Sequence, residues 1–196
     1  MIRFGRPLIW IALIASAMVA LFEASTSPLL EWRDPVYIAA GLSGVMALIL
    51  LMVQPLLVGR DLAKPRPLER KRIHALFGGL LVLALLLHVA GLWITSPPDM
   101  IDALLLRSPT PFSLWGVIGF WVILGVALLG ASRKALKLRF KTWRMLHGSL
   151  ALIAIISSIA HALLIEGTMG DISKVILCLF VLGATLRTLH TLKIWR

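Results

Sequence analysis

Residues 74–88 read HALFGGLLVLALLLH, and residues 147–161 read HGSLALIAIISSIAH. Each is an apolar segment that begins and ends on histidine, and in both the two histidines are fourteen positions apart. An α-helix turns about 100° and rises about 1.5 Å per residue, so fourteen steps return to within about 40° of the start, about 21 Å further along. Each segment is therefore expected to be a helix carrying two imidazoles on one face. One imidazole sits near each side of a bilayer core about 30 Å thick.

The rest of the chain agrees with a membrane setting. Of its 196 residues 59% are hydrophobic and only 15% charged, with a mean hydropathy of +0.94. A soluble domain carries about a quarter charged residues. Six apolar stretches, at about 7–22, 37–58, 73–94, 113–130, 145–165 and 172–189, predict an all-α polytopic membrane protein. The expected architecture is a six-transmembrane-helix bundle forming a single domain over residues 1–196. The first stretch also has features of a signal peptide, with a basic start and Ala15-Ser16-Ala17. Its apolar core runs on to Leu21 and Phe22, and the topology works with it retained. The loop from Thr95 to Phe112 holds Pro97, Pro98, Pro109 and Pro111. It also holds an amphipathic piece, Asp99 to Arg107, expected to lie on the outer surface or cap the bundle. The lone Cys178 lies in an apolar run, so there is no disulfide framework; it reads as a small buried hydrophobe.

The net charge of +11 would suit nucleic acid, but its placement argues against that partner. All but three of the 20 Lys and Arg residues fall at the two termini, between the second and third spans, or between the fourth and fifth. The exceptions are Arg33, Arg107 and Lys174, on the side that carries seven of the nine acids. The positive-inside rule then puts both termini and both basic loops in the cytoplasm. The basic loops also leave room for docking an acidic partner or anionic lipid.

That topology makes the two histidine helices parallel, both running outward. His74 pairs with His147 at the inner level and His88 with His161 at the outer level. Ionisable groups within a bilayer are costly and by default mark function. Zinc would want three or four protein ligands at one place. Two imidazoles at each of two depths, with no Cys, Asp or Glu beside them, suit instead the axial positions of two haems, whose porphyrin supplies the other four ligands. No C-x-x-C-H occurs, so the haems would be non-covalent and b-type. The faces between the histidines are Gly78, Leu81 and Leu85 (with Gly79 nearby), and Ala151, Ala154 and Ser158 with Gly148. Their small residues leave room for flat macrocycles or for close helix packing.

Haem propionates need cations or hydrogen-bond donors. Arg72, Lys141, Trp143 and Arg144 lie near the inner pair; Arg33 and Arg107 are the nearest outer cations, with Trp32 and Trp93 at that level. Arg72, Arg144 and Arg107 are the expected cofactor contacts, and the tryptophans also fit an interfacial belt. His190 reads as a solvated helix end or a group near the inner haem edge or a quinone pocket.

The His-x13-His pattern, its repetition two helices later, and the approach Trp143-Arg-Met-Leu-His147 resemble the ferric reductase-like transmembrane domain family, the haem-carrying core of ferric reductases and NADPH oxidases. The likeness covers roughly Ile38 to His190. The stretch from Arg107 to His147 is also similar to the bacterial haem-binding membrane subunit of the methionine sulfoxide reductase system. The resemblance implies that His74/His147 and His88/His161 hold two b haems and that electrons cross the membrane one at a time. There are two departures. Ferric reductases append a flavin and NADPH domain, whereas this sequence ends at Arg196 and has no G-x-G-x-x-G. The sulfoxide reductase subunit lacks the full inner pair.

The expected function is transmembrane electron transfer by a dihaem cytochrome b. A quinol or a separate flavoprotein would be the donor, with an outer-side acceptor such as ferric iron, oxygen or a periplasmic redox enzyme. The alternatives are a haem subunit serving a periplasmic oxidoreductase and, in another class, a small proton or metal transporter using intramembrane histidines. The expected location is a bacterial inner membrane.

Overall fold

The computed structural model describes residues 5–58 and 67–194, and side chains for all of these except 5–7 and 67. The charges of Arg3, Arg6, Arg60, Lys64, Arg66 and Arg196, used above for topology, lie outside the described side chains. Six long helices follow in order: α1 (Gly5–Ser25), α2 (Pro35–Val58), α3 (Pro67–Thr95), α5 (Pro111–Ala131), α6 (Phe140–Leu164) and α7 (Asp171–Thr191). A short α4 (Pro97–Leu104) lies between α3 and α5, where the amphipathic piece was expected. All six long helices are long and apolar enough to cross a membrane. No strand occurs among the described residues.

Each helix outruns the apolar core read from the sequence at one end or both. α3 starts at Pro67 rather than 73, and α6 at Phe140 rather than 145. The added turns are basic: Arg70, Lys71 and Arg72 in α3, and Lys141 and Arg144 in α6. Such residues extend their stems along the helix and leave the charge in water, while the backbone keeps its internal hydrogen bonds. Proline marks the starts. α2, α3, α4 and α5 all begin on Pro, which suits a first-turn position whose N–H has no intrahelical partner. At α2 the Asp34 carboxylate accepts from Val36 N at 2.7 Å, a standard N-terminal cap.

The helices close into a ring. α2 packs on α3, α3 on α5, α5 on α6, α6 on α7, and α7 back on α2. α1 lies outside, in the groove between α2 and α7, and α4 bridges α3 and α5. The ring contains two antiparallel hairpins, α2–α3 and α5–α6. Their second helices, α3 and α6, face each other without close backbone packing. Large apolar side chains such as Leu76, Leu83, Leu87, Trp121 and Leu128 stay exposed, as a surface facing lipid requires.

Polar ties hold α7 in place. The Glu23 carboxylate, near the end of α1, accepts from Gly170 N at 3.1 Å and from the Ser173 hydroxyl, satisfying the start of α7. Lys174, buried at 6% exposure, donates to Ile165 O at 3.0 Å and pairs with Asp171 at 3.2 Å. At the other end, the Thr188 hydroxyl donates to Pro55 O at 3.1 Å. Pro55 sits inside α2 and cannot donate to the previous turn, so this tie anchors α2 where its own ladder is interrupted.

Candidate functional site

The four paired histidines meet in the space between α3 and α6. The His74 and His147 ring centroids are 6.3 Å apart, and those of His88 and His161 are 6.4 Å apart. First meets first and second meets second, so α3 and α6 run parallel, as the charge pattern required. The connecting positions share the face: Gly78, Leu81 and Leu85 on α3, and Ala151, Ala154 and Ser158 on α6, continue a heptad seam from one histidine to the next.

The far-end pair, His88 and His161, is held by backbone. His88 Nδ1 lies 2.8 Å from Ala40 O, and His161 Nδ1 lies 2.9 Å from Phe112 O. A carbonyl only accepts, so in both rings Nδ1 carries the proton and Nε2 is left with a free lone pair. Both contacts depend on a glycine one helical turn further on. A Cβ on Gly44 would lie 2.8 Å from His88 Nδ1, and one on Gly116 would lie 2.8 Å from His161 Nδ1. Only a residue without a side chain lets the ring come this close to the α2 or α5 backbone.

Fourteen residues along each partner helix the chain again lies beside a histidine, but without the carbonyl contact or the tight glycine of the far end. Fourteen residues along α2 from Ala40 is Gln54, whose backbone lies beside His74. Fourteen residues along α5 from Gly116 is Gly130, which faces His147 at 4.0 Å from Cε1. In an antiparallel hairpin the helix spacing that aligns two histidines on one strand of the pair aligns two backbone sites on the other.

The basic-end pair is looser. Neither His74 Nδ1 nor His147 Nδ1 has a hydrogen-bond partner among the described residues, and the side-chain amide of nearby Gln54 is also buried without one. His147 instead stacks on Trp143, with centroids 5.1 Å apart and planes 23° from parallel.

The spacing of each pair fits a metal held between them. A ring nitrogen about 2.0–2.1 Å from a metal puts the centroids of two opposed imidazoles roughly 6 Å apart. It leaves room between the nitrogens for about one flat aromatic layer. Among the described residues no three His, Cys, Asp or Glu side chains gather into a metal cluster. Two imidazoles therefore face each other at each level, a donor number that suits the axial positions of a macrocycle better than the three or four protein ligands zinc wants.

The other expected contacts are placed less directly. Arg72, two residues before His74, and Arg107, after α4, are both exposed. Arg144 is half-buried; its guanidinium reaches Lys193 O at 3.5 Å and lies 5.7 Å from the Phe140 ring, so it engages the end of α7 as well as its own helix. His190 is exposed at the end of α7. At Gly148 the structure selects the packing alternative. A Cβ there would lie 2.8 Å from Ile194 Cγ2, so its smallness serves packing against the turn after α7 rather than a macrocycle. Sequence reasoning missed Ala40, Gly44, Phe112 and Gly116. The signal open to it was the spacing of Gly116 and Gly130, equal to that of the histidines.

Compared with known families, residues 43–158 match the model of the ferric reductase like transmembrane component. The match spans more than half of the chain, takes in His74, His88 and His147, and stops three residues short of His161. No curated protein and no solved structure matches the chain.

Proposed function

We propose, from the premise that this chain belongs to the ferric reductase-like transmembrane family, that it is a dihaem b-type cytochrome carrying electrons across a membrane. The observation that carries the reading is the pair of ring separations, 6.3 and 6.4 Å, at two levels of one helix pair. His74 and His147 would hold the inner haem, and His88 and His161 the outer one. Haem iron, when bound, supplies reversible one-electron exchange without any change in the protein's covalent structure.

The chain's own residues supply the rest. Ala40 O and Phe112 O accept the Nδ1 protons of the outer imidazoles, which fixes each tautomer, aims Nε2 at the shared gap and raises its basicity. The apolar seam Leu81, Leu85 and Ala154 keeps water from the space between the two levels. The concentration of Arg and Lys at the end nearest His74 and His147 supports placing that end, and both termini, in the cytoplasm of a bacterial inner membrane. A soluble flavoprotein or a membrane quinol then serves as donor, and an acceptor on the far side takes the electron. Arg72 and Arg144 at one end, and Arg107 at the other, are the cations offered to haem carboxylates.

Reduced-minus-oxidised spectra and the haem-to-protein ratio of the purified protein test this. Two low-spin b haems per chain are expected. A folded, haem-free protein would overturn the reading and favour a transporter using intramembrane histidines.

A further inference from the structure

The two histidine pairs are held by different means. Carbonyls fix the outer rings, yet His147 Nδ1 is buried without a hydrogen-bond partner among the described residues. A ring ligand normally has its second nitrogen fixed by a hydrogen bond, because rotation about the metal–nitrogen bond is otherwise weakly restrained. What touches His147 is a column of aromatic rings. Trp143 lies one turn before it, 5.1 Å away and nearly parallel, and Phe140 stacks on Trp143 at 6.2 Å and 24°. The column is itself pinned. The Trp143 indole N–H donates to Leu129 O at 3.3 Å, and the Arg133 guanidinium lies 4.6 Å from the Trp143 centroid and 5.0 Å from that of Phe140. α5 and the turn after it thus clamp the column from the side with one carbonyl and one cation.

The column ends in the open. Phe140 is 56% exposed at the first residue of α6, among Arg139, Lys141 and Arg144, while His147 lies at the gap between α3 and α6. An exposed aromatic ring amid cations is an unfavourable surface for a lipid tail and a favourable one for a flat, anionic, water-borne donor.

Resting on the dihaem reading, we propose that Trp143 is the positioning residue of the inner pair and that Phe140–Trp143–His147 is its electron-exchange contact with the aqueous phase. The stack sets the plane of the His147 ring, a task the carbonyls perform for the outer pair. A reduced flavin carrying a phosphate, from the flavoprotein donor class named above, suits Phe140 and its guanidinium neighbours. The dihydroflavin gives up two electrons, one at a time, and releases two protons to water. Haem iron held by His74 and His147 would take these electrons one at a time, each converting ferric to ferrous.

The test uses the full, haem-loaded chain with Trp143→Leu, Trp143→Phe and Phe140→Ala. It reads haem content, the two low-spin electron paramagnetic resonance signals, and the rate of reduction by dihydroflavin mononucleotide. Trp143→Leu is expected to move or broaden one low-spin signal, or to lower haem affinity about tenfold, and to leave the other signal alone. Trp143→Phe restores the signal because a flat ring returns. Phe140→Ala keeps both haems and both signals and slows reduction by roughly fivefold or more. Unchanged signals together with unchanged haem affinity in Trp143→Leu, a Trp143→Phe variant no better than Trp143→Leu, or an unaltered reduction rate in Phe140→Ala overturns the proposal. A wild-type chain without haem removes the dihaem reading itself, a result distinct from a loaded wild type with indifferent variants.

Discussion

Replacing Gly116 by Ala adds a single methyl group in the place where His161 lies against α5. The new Cβ would sit 2.8 Å from Nδ1, 3.0 Å from Cε1 and 3.5 Å from Cγ of the imidazole. Ordinary contacts begin near 3.4 Å, so the ring must retreat by about 0.6 Å in a packed interior that gives little. Retreat stretches the 2.9 Å contact between Nδ1 and Phe112 O. The overpacking costs about 1–3 kcal/mol and the weakened hydrogen bond about 1 kcal/mol. Part of that cost is offset by the better helix propensity of Ala, about 1 kcal/mol. The main effect is on ligand geometry, where losing the partner of a metal-binding imidazole typically lowers affinity about 10–100-fold. Gly116→Ala is expected to lose most of the outer haem and keep the inner one, read as a haem-to-protein ratio falling from two towards one. Gly130→Ala is the matched control. It lies fourteen residues along the same helix, but its added Cβ stands 4.0 Å from His147 Cε1, an unstrained contact, so both haems are expected to stay. A Gly116→Ala protein with two haems and unshifted low-spin signals would refute the role assigned to the close approach.

Four further outcomes follow from the same geometry. His88→Ala or His161→Ala should remove only the outer haem and its spectroscopic signal. His74→Ala or His147→Ala should remove only the inner one, and four mutants that all keep full haem content would sink the ligand assignment. Glu23→Ala removes the acceptor for Gly170 N and Ser173 at the start of α7; the expected loss is about 1–2 kcal/mol, visible as a Tm lower by several degrees with haem content unchanged. Gly148→Ala pushes on the flexible Ile194 side chain rather than on a histidine, so thermal stability should fall slightly while haem binding at the inner pair stays intact.

Particular residues show how far the sequence could be read. His74, His88, His147 and His161 stood out because an ionisable group is rare in an apolar run and because spacing along a helix translates directly into a face and a depth. The six spans were legible for the same reason: bilayer thickness sets a minimum length. Gly44 was not legible, and Gly116 was marked only by its fourteen-residue spacing from Gly130. Their importance lies in what a missing Cβ allows a residue more than forty positions away to approach, and Gly125 and Gly183, which face nothing within 4 Å, look the same in the sequence. Glu23 is one of the seven acids on the acid-rich side, and its attachment to the start of α7 required the α1–α7 contact. For Gly148 the sequence left two readings open, because a small residue on a helix face can serve either a ligand or a neighbouring segment, and the turn carrying Ile194 decides for packing.

The sequence by itself determined the number of spans, the parallel run of α3 and α6 and the pairing of their histidines, because helix geometry and bilayer thickness act locally and leave one solution. Only the tertiary structure decided how the rings are held. The outer pair rests on the carbonyls of α2 and α5, which every residue possesses and no sequence pattern can mark. His147 rests on an aromatic column clamped by α5. Both arrangements depend on how closely two helices approach, and that distance exists only once they have packed.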